Sequence, residues 1–100
     1  MRIIKVQTLH DQFLRYPDVR GALTQWIEHV ERADWSSPQD VKADYASASI
    51  LPGNRVVFNI RGNHYRLITS IFYPGRIVYI KFFGTHAEYD QVDALTVNDY

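Results

Sequence analysis

From Val19 to Ala33 apolar residues return every third or fourth position. Val19, Ala22, Leu23, Trp26, Ile27, Val30 and Ala33 stand at offsets 0, 3, 4, 7, 8, 11 and 14. That spacing lines one face of an α-helix, so Asp18 to Trp35 reads as the clearest helix of the chain, weakened a little by Gly21. Upstream, residues 2–6 read as a short opening strand. Thr8 with Asp11 three residues on resembles a cap for a short helix that ends by Pro17. Downstream, Ser37-Pro38-Gln39-Asp40 reads as a third helix start. Ser37 caps, Pro38 fills the first helical position and Asp40 suits the positive helix end. This helix is expected to run to about Ala46.

The pattern then changes to runs of Val, Ile, Phe and Tyr. Arg55 to Ile60, Tyr65 to Tyr73 and Ile77 to Phe83 read as strands, fed by the turn at Pro52-Gly53-Asn54. Arg61-Gly62-Asn63-His64 and Tyr73-Pro74-Gly75-Arg76 separate them, and Pro-Gly at two central positions suits a type II turn. Turns this short make antiparallel neighbours, so the three strands form a meander. Thr85 and Glu88 have capping-box spacing for a short C-terminal helix. Helices followed by strands indicate an α+β domain, with the helices covering one face of an antiparallel sheet. At 100 residues there is room for one such domain, spanning 1–100.

Composition narrows the function. Hydrophobic residues at 46% and aromatics at 14% suffice for one core. The chain has no cysteine, which removes disulfides, thiol nucleophiles and cysteine metal sites and fits a reducing cytoplasm. Met1 to Val6 is too short and too quickly polar for a signal peptide, and no apolar run is long enough to span a membrane. The chain is therefore expected in the cytoplasm, with no membrane partner. The formal net charge of zero conceals an asymmetry. From Leu51 to Ala87 there is no Asp or Glu, yet Arg55, Arg61, Arg66, Arg76 and Lys81 all lie there. A basic, aromatic-rich segment of this kind attracts polyanions, above all phosphates. The bland alternative is a set of solvated strand charges.

Strand alternation says which side chains share a face. With Val56, Phe58 and Ile60 in the core, Arg55, Val57, Asn59 and Arg61 point away. Arg66, Ile68, Ser70 and Phe72 share a face opposite Tyr65, Leu67, Thr69 and Ile71. Tyr79, Lys81 and Phe83 share one opposite Val78, Ile80 and Phe82. Register across the turns is open: one choice puts Arg66 and Lys81 on a common face near His86, and the other buries one of them. In the first case the group resembles what RNA cleavage by its own 2′-hydroxyl requires, namely a base, an acid and cations at the phosphate. His86 supplies an imidazole, Arg66 and Lys81 supply charge, and Tyr89, three residues after His86, places a hydroxyl on the same side of a helical turn. Arg61, Asn63 and His64 at the turn are candidate RNA-binding residues, or simply turn residues. Tyr65 or Tyr79, if exposed, can stack on an unpaired base. His10, His29, His64 and His86 lack tight ligand spacing, so no metal and no cofactor is expected.

The ordered set Val57-Phe58-Asn59-Ile60, Gly62-Asn63, Tyr65-Arg66-Leu67-Ile68 and Gly84-Thr85-His86-Ala87-Glu88-Tyr89-Asp90 resembles the HigB-type toxins of bacterial toxin–antitoxin systems, within the wider RelE-like group of mRNA interferases. The Tyr16-Pro17 break, the helix carrying Trp26, and Ala33-Asp34-Trp35 before a Ser-Pro helix start agree with it. The resemblance implies a compact α+β fold. It also implies an endoribonuclease that cuts messenger RNA, typically on the ribosome, and a cognate HigA-like helix-turn-helix antitoxin through which alone the toxin would meet DNA. By it, Arg66 matches the phosphate-binding strand arginine, His86 the catalytic basic position and Tyr89 the nearby tyrosine, while Lys81 is placed by strand position only. The neutral overall charge departs from the strongly basic RelE-like ribonucleases and leaves room for cleavage of free RNA. The competing class is a catalytically dead RNA-binding or antitoxin-binding module on the same fold. A third is a small-molecule or protein-interaction domain with an incidental basic face.

Overall fold

The apolar stripe predicted around Leu23 and Val30 needs a partner surface, and a sheet supplies it. The computed structural model describes residues 1–100. In chain order the elements are β1 (Arg2–Ile4), α1 (Val6–Arg15), a 3-10 turn (Pro17–Val19), α2 (Arg20–Arg32), α3 (Pro38–Asp44), β2 (Ser49–Leu51), β3 (Arg55–Ile60), β4 (Tyr65–Phe72), β5 (Ile77–Thr85) and α4 (His86–Tyr89). The sheet order is β1-β5-β4-β3-β2. Strands β2 to β5 pair antiparallel as expected, but β1 runs parallel to β5, so the sheet is mixed. The helical crossover between β1 and the rest of the sheet is what permits a parallel edge.

Helix boundaries depart from the sequence reading where local chemistry competes. Helix α1 starts at Val6 after Lys5, which adopts a left-handed φ of 66°; Thr8 lies inside the first turn and its hydroxyl donates to the Lys5 carbonyl. Asp18 belongs to the 3-10 turn, and α2 stops at Arg32 because Ala33 is extended. Ser37 is extended at the start of α3 but its hydroxyl caps nothing. Instead the Asp40 carboxylate reaches back to the Ser36 N–H at 2.8 Å and the Ser36 hydroxyl at 2.9 Å. The β4–β5 turn is not type II: the left-handed residue is Arg76 (φ 56°), not Gly75. Gly75 is required for another reason, since a Cβ there would lie 2.8 Å from the Phe72 ring.

A β-bulge resets the faces of β5. Ile68 sits opposite Phe82 while Thr69 sits opposite Ile80, which leaves Lys81 as the extra residue. Beyond it the alternation inverts. Phe83 joins Val78 and Ile80 in the main core, and Phe82 turns to the other face with Val57 and Ile68. The expected grouping of Tyr79, Lys81 and Phe83 on one face therefore does not hold.

The main core lies between the helices and one face of the sheet. Leu23, Trp26, Val30 and Trp35 meet Phe58, Leu67, Ile71 and Ile80, all buried. Each such side chain contributes roughly 1.5–3 kcal/mol by leaving water. The second face has only a small apolar cluster, Val57, Ile68 and Phe82, roofed by Tyr89, Val92, Ala94 and Val97 from the chain's last segment. Arg55 clamps that roof, donating to the Ala94 carbonyl at 3.1 Å and the Val97 carbonyl at 2.8 Å. At one end of this face Asn59, Arg66 and Gly84 form a lateral row across β3, β4 and β5, with Asn59 and Arg66 half-buried.

Candidate functional site

The row ends against the β3–β4 turn on one side and α4 on the other. Helix α4 is one turn long, so its position depends on what grips it. Thr85 and Glu88 form the predicted capping box: the Glu88 N–H donates to the Thr85 hydroxyl at 3.1 Å, and the Thr85 N–H donates to the Glu88 carboxylate at 2.9 Å. The same carboxylate accepts from the Tyr16 hydroxyl and from the Arg15 guanidinium, both at the end of α1. Gly84 makes room for it, because a Cβ there would stand 3.0 Å from a Glu88 oxygen. Burial works to raise the Glu88 pKa, but the bonds from Tyr16 and Thr85 and the Arg15 charge outweigh it and hold the carboxyl below its ordinary value. Burial and the bond to Glu88 push the Tyr16 hydroxyl up to about 12. On the turn side the His86 N–H donates to the His64 carbonyl at 3.0 Å.

These grips bring three side chains to one patch. The Arg66 guanidinium carbon lies 5.8 Å from the centre of the Tyr89 ring, and the His86 ring lies 6.5 Å from that centre, nearly perpendicular. Tyr89 thus neighbours both the cation and the imidazole. The Arg66 guanidinium donates only to main-chain carbonyls, those of Asn63 at 3.1 Å and Tyr65 at 3.3 Å. No carboxylate approaches it within ion-pair distance, unlike Arg61, which pairs with Asp18 at 3.3 Å, and Arg76, which pairs with Asp34. A half-exposed guanidinium without a carboxylate retains its charge for a ligand anion. Asn63 and His64 border the patch, and a groove of about 360 Å³ lined by Ser47, Asn59, Gly62 and Asn63 runs beside the turn. No group of three histidine, aspartate or glutamate side chains comes together as a metal site.

Other residues singled out by sequence fall elsewhere. Lys81, in the bulge, is three residues along β5 from Gly84, the residue opposite Arg66, or about 10 Å at strand rise. Its ammonium donates to Asn98 at 3.0 Å and lies 5.7 Å from the Tyr79 ring centre, so Lys81 and Tyr79 form a separate pair. Arg61 faces Asp18. Tyr65 cannot stack on a base: it is buried against Phe83, and its hydroxyl donates to Asp18 at 2.7 Å. That bond, with burial, raises its pKa. Three nearby residues escaped the sequence reading. Asp90 lies 3.2 Å from His86 Nδ1, a contact that their i,i+4 spacing foretells. Asn59 shares the Arg66 row, which only the register reveals. The hold of Tyr16 on Glu88 has no sequence signal, since the two are far apart along the chain.

Residues 19–92 match the family described as HigB_toxin, RelE-like toxic component of a toxin-antitoxin system. The chain belongs to the HigB toxin family. It is 27% identical over 92 residues to the mRNA interferase toxin HigB of Escherichia coli (strain K12), covering 90% of this chain and 88% of the relative. The mRNA interferase HigB proteins of Escherichia coli O157:H7 and Shigella flexneri match to the same extent. The α+β fold implied by the HigB resemblance is the fold observed, with the mixed sheet as its one refinement. The HigB family match contains the whole patch, from Asn59 to Asp90. No helix of this toxin is long and apolar enough to cross a membrane.

Proposed function

We propose that this toxin is an endoribonuclease that cuts messenger RNA; its relatives are mRNA interferases by name. The observation that carries the reading is the Arg66–Tyr89–His86 patch, in which one guanidinium without a carboxylate and one imidazole both neighbour a single phenol. In the reaction the RNA 2′-hydroxyl attacks the adjacent phosphorus, its proton passes to a base, and the 5′-oxygen leaves with a proton from an acid. Arg66 holds the phosphoryl oxygens as charge builds on them, which is where a preorganised cation acts most strongly. His86 takes one proton-transfer role, and the Tyr89 hydroxyl stands next to both. The step needs no metal. Asn63 and His64 contact the RNA strand beside the cleaved bond.

The substrate in this reading is messenger RNA on the ribosome, and a helix-turn-helix antitoxin of the HigA type neutralises the toxin and represses their common operon. The compactness of the cationic patch favours an RNA held in place by another body, because Arg61 and Arg76 are already paired with carboxylates. The test is Arg66→Ala. Loss of a charge-assisted contact of roughly 1.5–3 kcal/mol lowers cleavage at least about tenfold with the fold intact. Unchanged cleavage refutes the assignment. If wild-type and Arg66→Ala/His86→Ala forms are equally harmless to growth on expression, the non-catalytic binding module is the correct reading.

A further inference from the structure

We infer that Asp90 is a positioning residue: it holds the His86 ring with its proton on Nδ1, so that the bare Nε2 is the atom offered to the RNA. The inference rests on the ribonuclease reading above. Asp90 Oδ2 stands 3.2 Å from His86 Nδ1, and the Asp90 N–H donates to the His86 carbonyl at 3.1 Å, closing one helical turn. The pairing therefore has a fixed backbone beneath it. A carboxylate can only accept, so in the neutral ring the facing nitrogen must be the protonated one. The lone pair is left on Nε2, on the far side of the ring.

No other group competes for Nδ1. On α4 itself, Glu88 is bound to Thr85, Tyr16 and Arg15 and faces away. Tyr89 presents its ring to the imidazole nearly edge-on. From the β3–β4 turn, His64 meets His86 through main-chain atoms. From β4, the Arg66 guanidinium lies over the Tyr89 ring, 5.8 Å from its centre, and forms no ion pair with Asp90. Asp90 is half-exposed, as is His86, so the pair adds little to stability. Its consequence is the choice of tautomer and of ring direction, both of which decide whether a proton can be taken or given at the phosphate.

The experiment compares wild type, Asp90→Ala and Asp90→Glu. Ring ¹⁵N chemical shifts of His86 report which nitrogen carries the proton above the imidazole titration, and messenger RNA cleavage is followed in a cell-free translation reaction. In wild type the neutral ring is expected to carry its proton on Nδ1. Asp90→Ala moves the population towards Nε2–H and lowers the saturated cleavage rate about five- to tenfold, with half-saturation unchanged within about twofold. Asp90→Glu, which keeps a carboxylate within reach across one turn, restores both. An unchanged tautomer in Asp90→Ala overturns the inference, and so does a shifted tautomer with an undiminished rate. If wild type itself cleaves no RNA, the ribonuclease reading fails, which is a different result from either of these.

Discussion

The two faces of the sheet solve opposite problems. On the helix side, aromatic and branched residues lock together: Trp35 stacks on Phe58 with ring centres 6.1 Å apart, and Trp26 meets the same ring edge-on at 5.3 Å. On the other side three apolar residues lie under an irregular segment held by hydrogen bonds from Arg55, and the rest of the face carries Asn59, Arg66 and Ser70 with one exposed phenylalanine, Phe72. Apolar packing is concentrated on the first face, and the proposed chemistry lies on the second. The contrast also explains why an arginine can remain without a carboxylate: the carboxylates of the helical half reach Arg61 and Arg76 in the turns at the two ends of β4, and Arg66, within the strand, is beyond them.

The largest effect belongs to the helix-side core. Trp35→Ala removes a buried ring that also donates from its indole to Asp44 at 2.9 Å. A loss of about 3–5 kcal/mol is expected, read as a fall in the urea midpoint. A loss below about 1 kcal/mol would show that the face is not the source of stability. Arg66→Ala, expected to lower cleavage at least about tenfold, should change the same midpoint by less than about 0.5 kcal/mol, because its bonds reach only carbonyls near the surface. A large destabilisation there would merge the two faces into one.

Between these extremes lies the clamp on α4. The Glu88 carboxylate has its pKa lowered by its donors, so the folded state binds its proton less tightly than the unfolded chain. Its contribution is complete above the unfolded value near 4.3 and is lost as pH falls through the lower folded value. Because the side chain is partly in water, that contribution is no more than about 1 kcal/mol. Glu88→Gln should therefore lower the urea midpoint at pH 7, and the gap to wild type should close in acid. A gap independent of pH would place the effect in packing. Cleavage should fall with it, since the clamp sets where His86 and Tyr89 stand.

Much of this was legible in the residues. The stripe of α2 and the capping box at Thr85 depend on neighbours within one helical turn, and local spacing encodes such things. Alternation grouped Arg66 with Ile68 and Ser70 but left open whether that face was exposed, which the pairing decides. What escaped depends on pairing partners distant along the chain. The Ile68/Phe82 register creates the bulge, and the bulge, not alternation, decides that Phe83 is core and Lys81 is not beside Arg66. Likewise the parallel edge at Arg2–Ile4 exists only because Ile77–Tyr79 is there to meet it. At the start of α3 the sequence reading made Ser37 the cap, but the capping role falls to Asp40, whose carboxylate accepts from Ser36.

The smallest effect sharpens the comparison most. Arg66 and Lys81 are both cations of the acid-free segment and both lack a carboxylate partner. They differ in what they face: a phenol shared with an imidazole in one case, and an asparagine and a tyrosine ring in the other. If position decides and net charge does not, Lys81→Ala should lower cleavage by no more than about threefold, visible only when RNA is limiting, as one lost long-range phosphate attraction. The salt dependence of RNA binding should become slightly shallower. A loss matching that of Arg66→Ala at saturating RNA would mean that the bulge delivers Lys81 to the phosphate when RNA binds, and the reacting centre would then extend across both rows of the face.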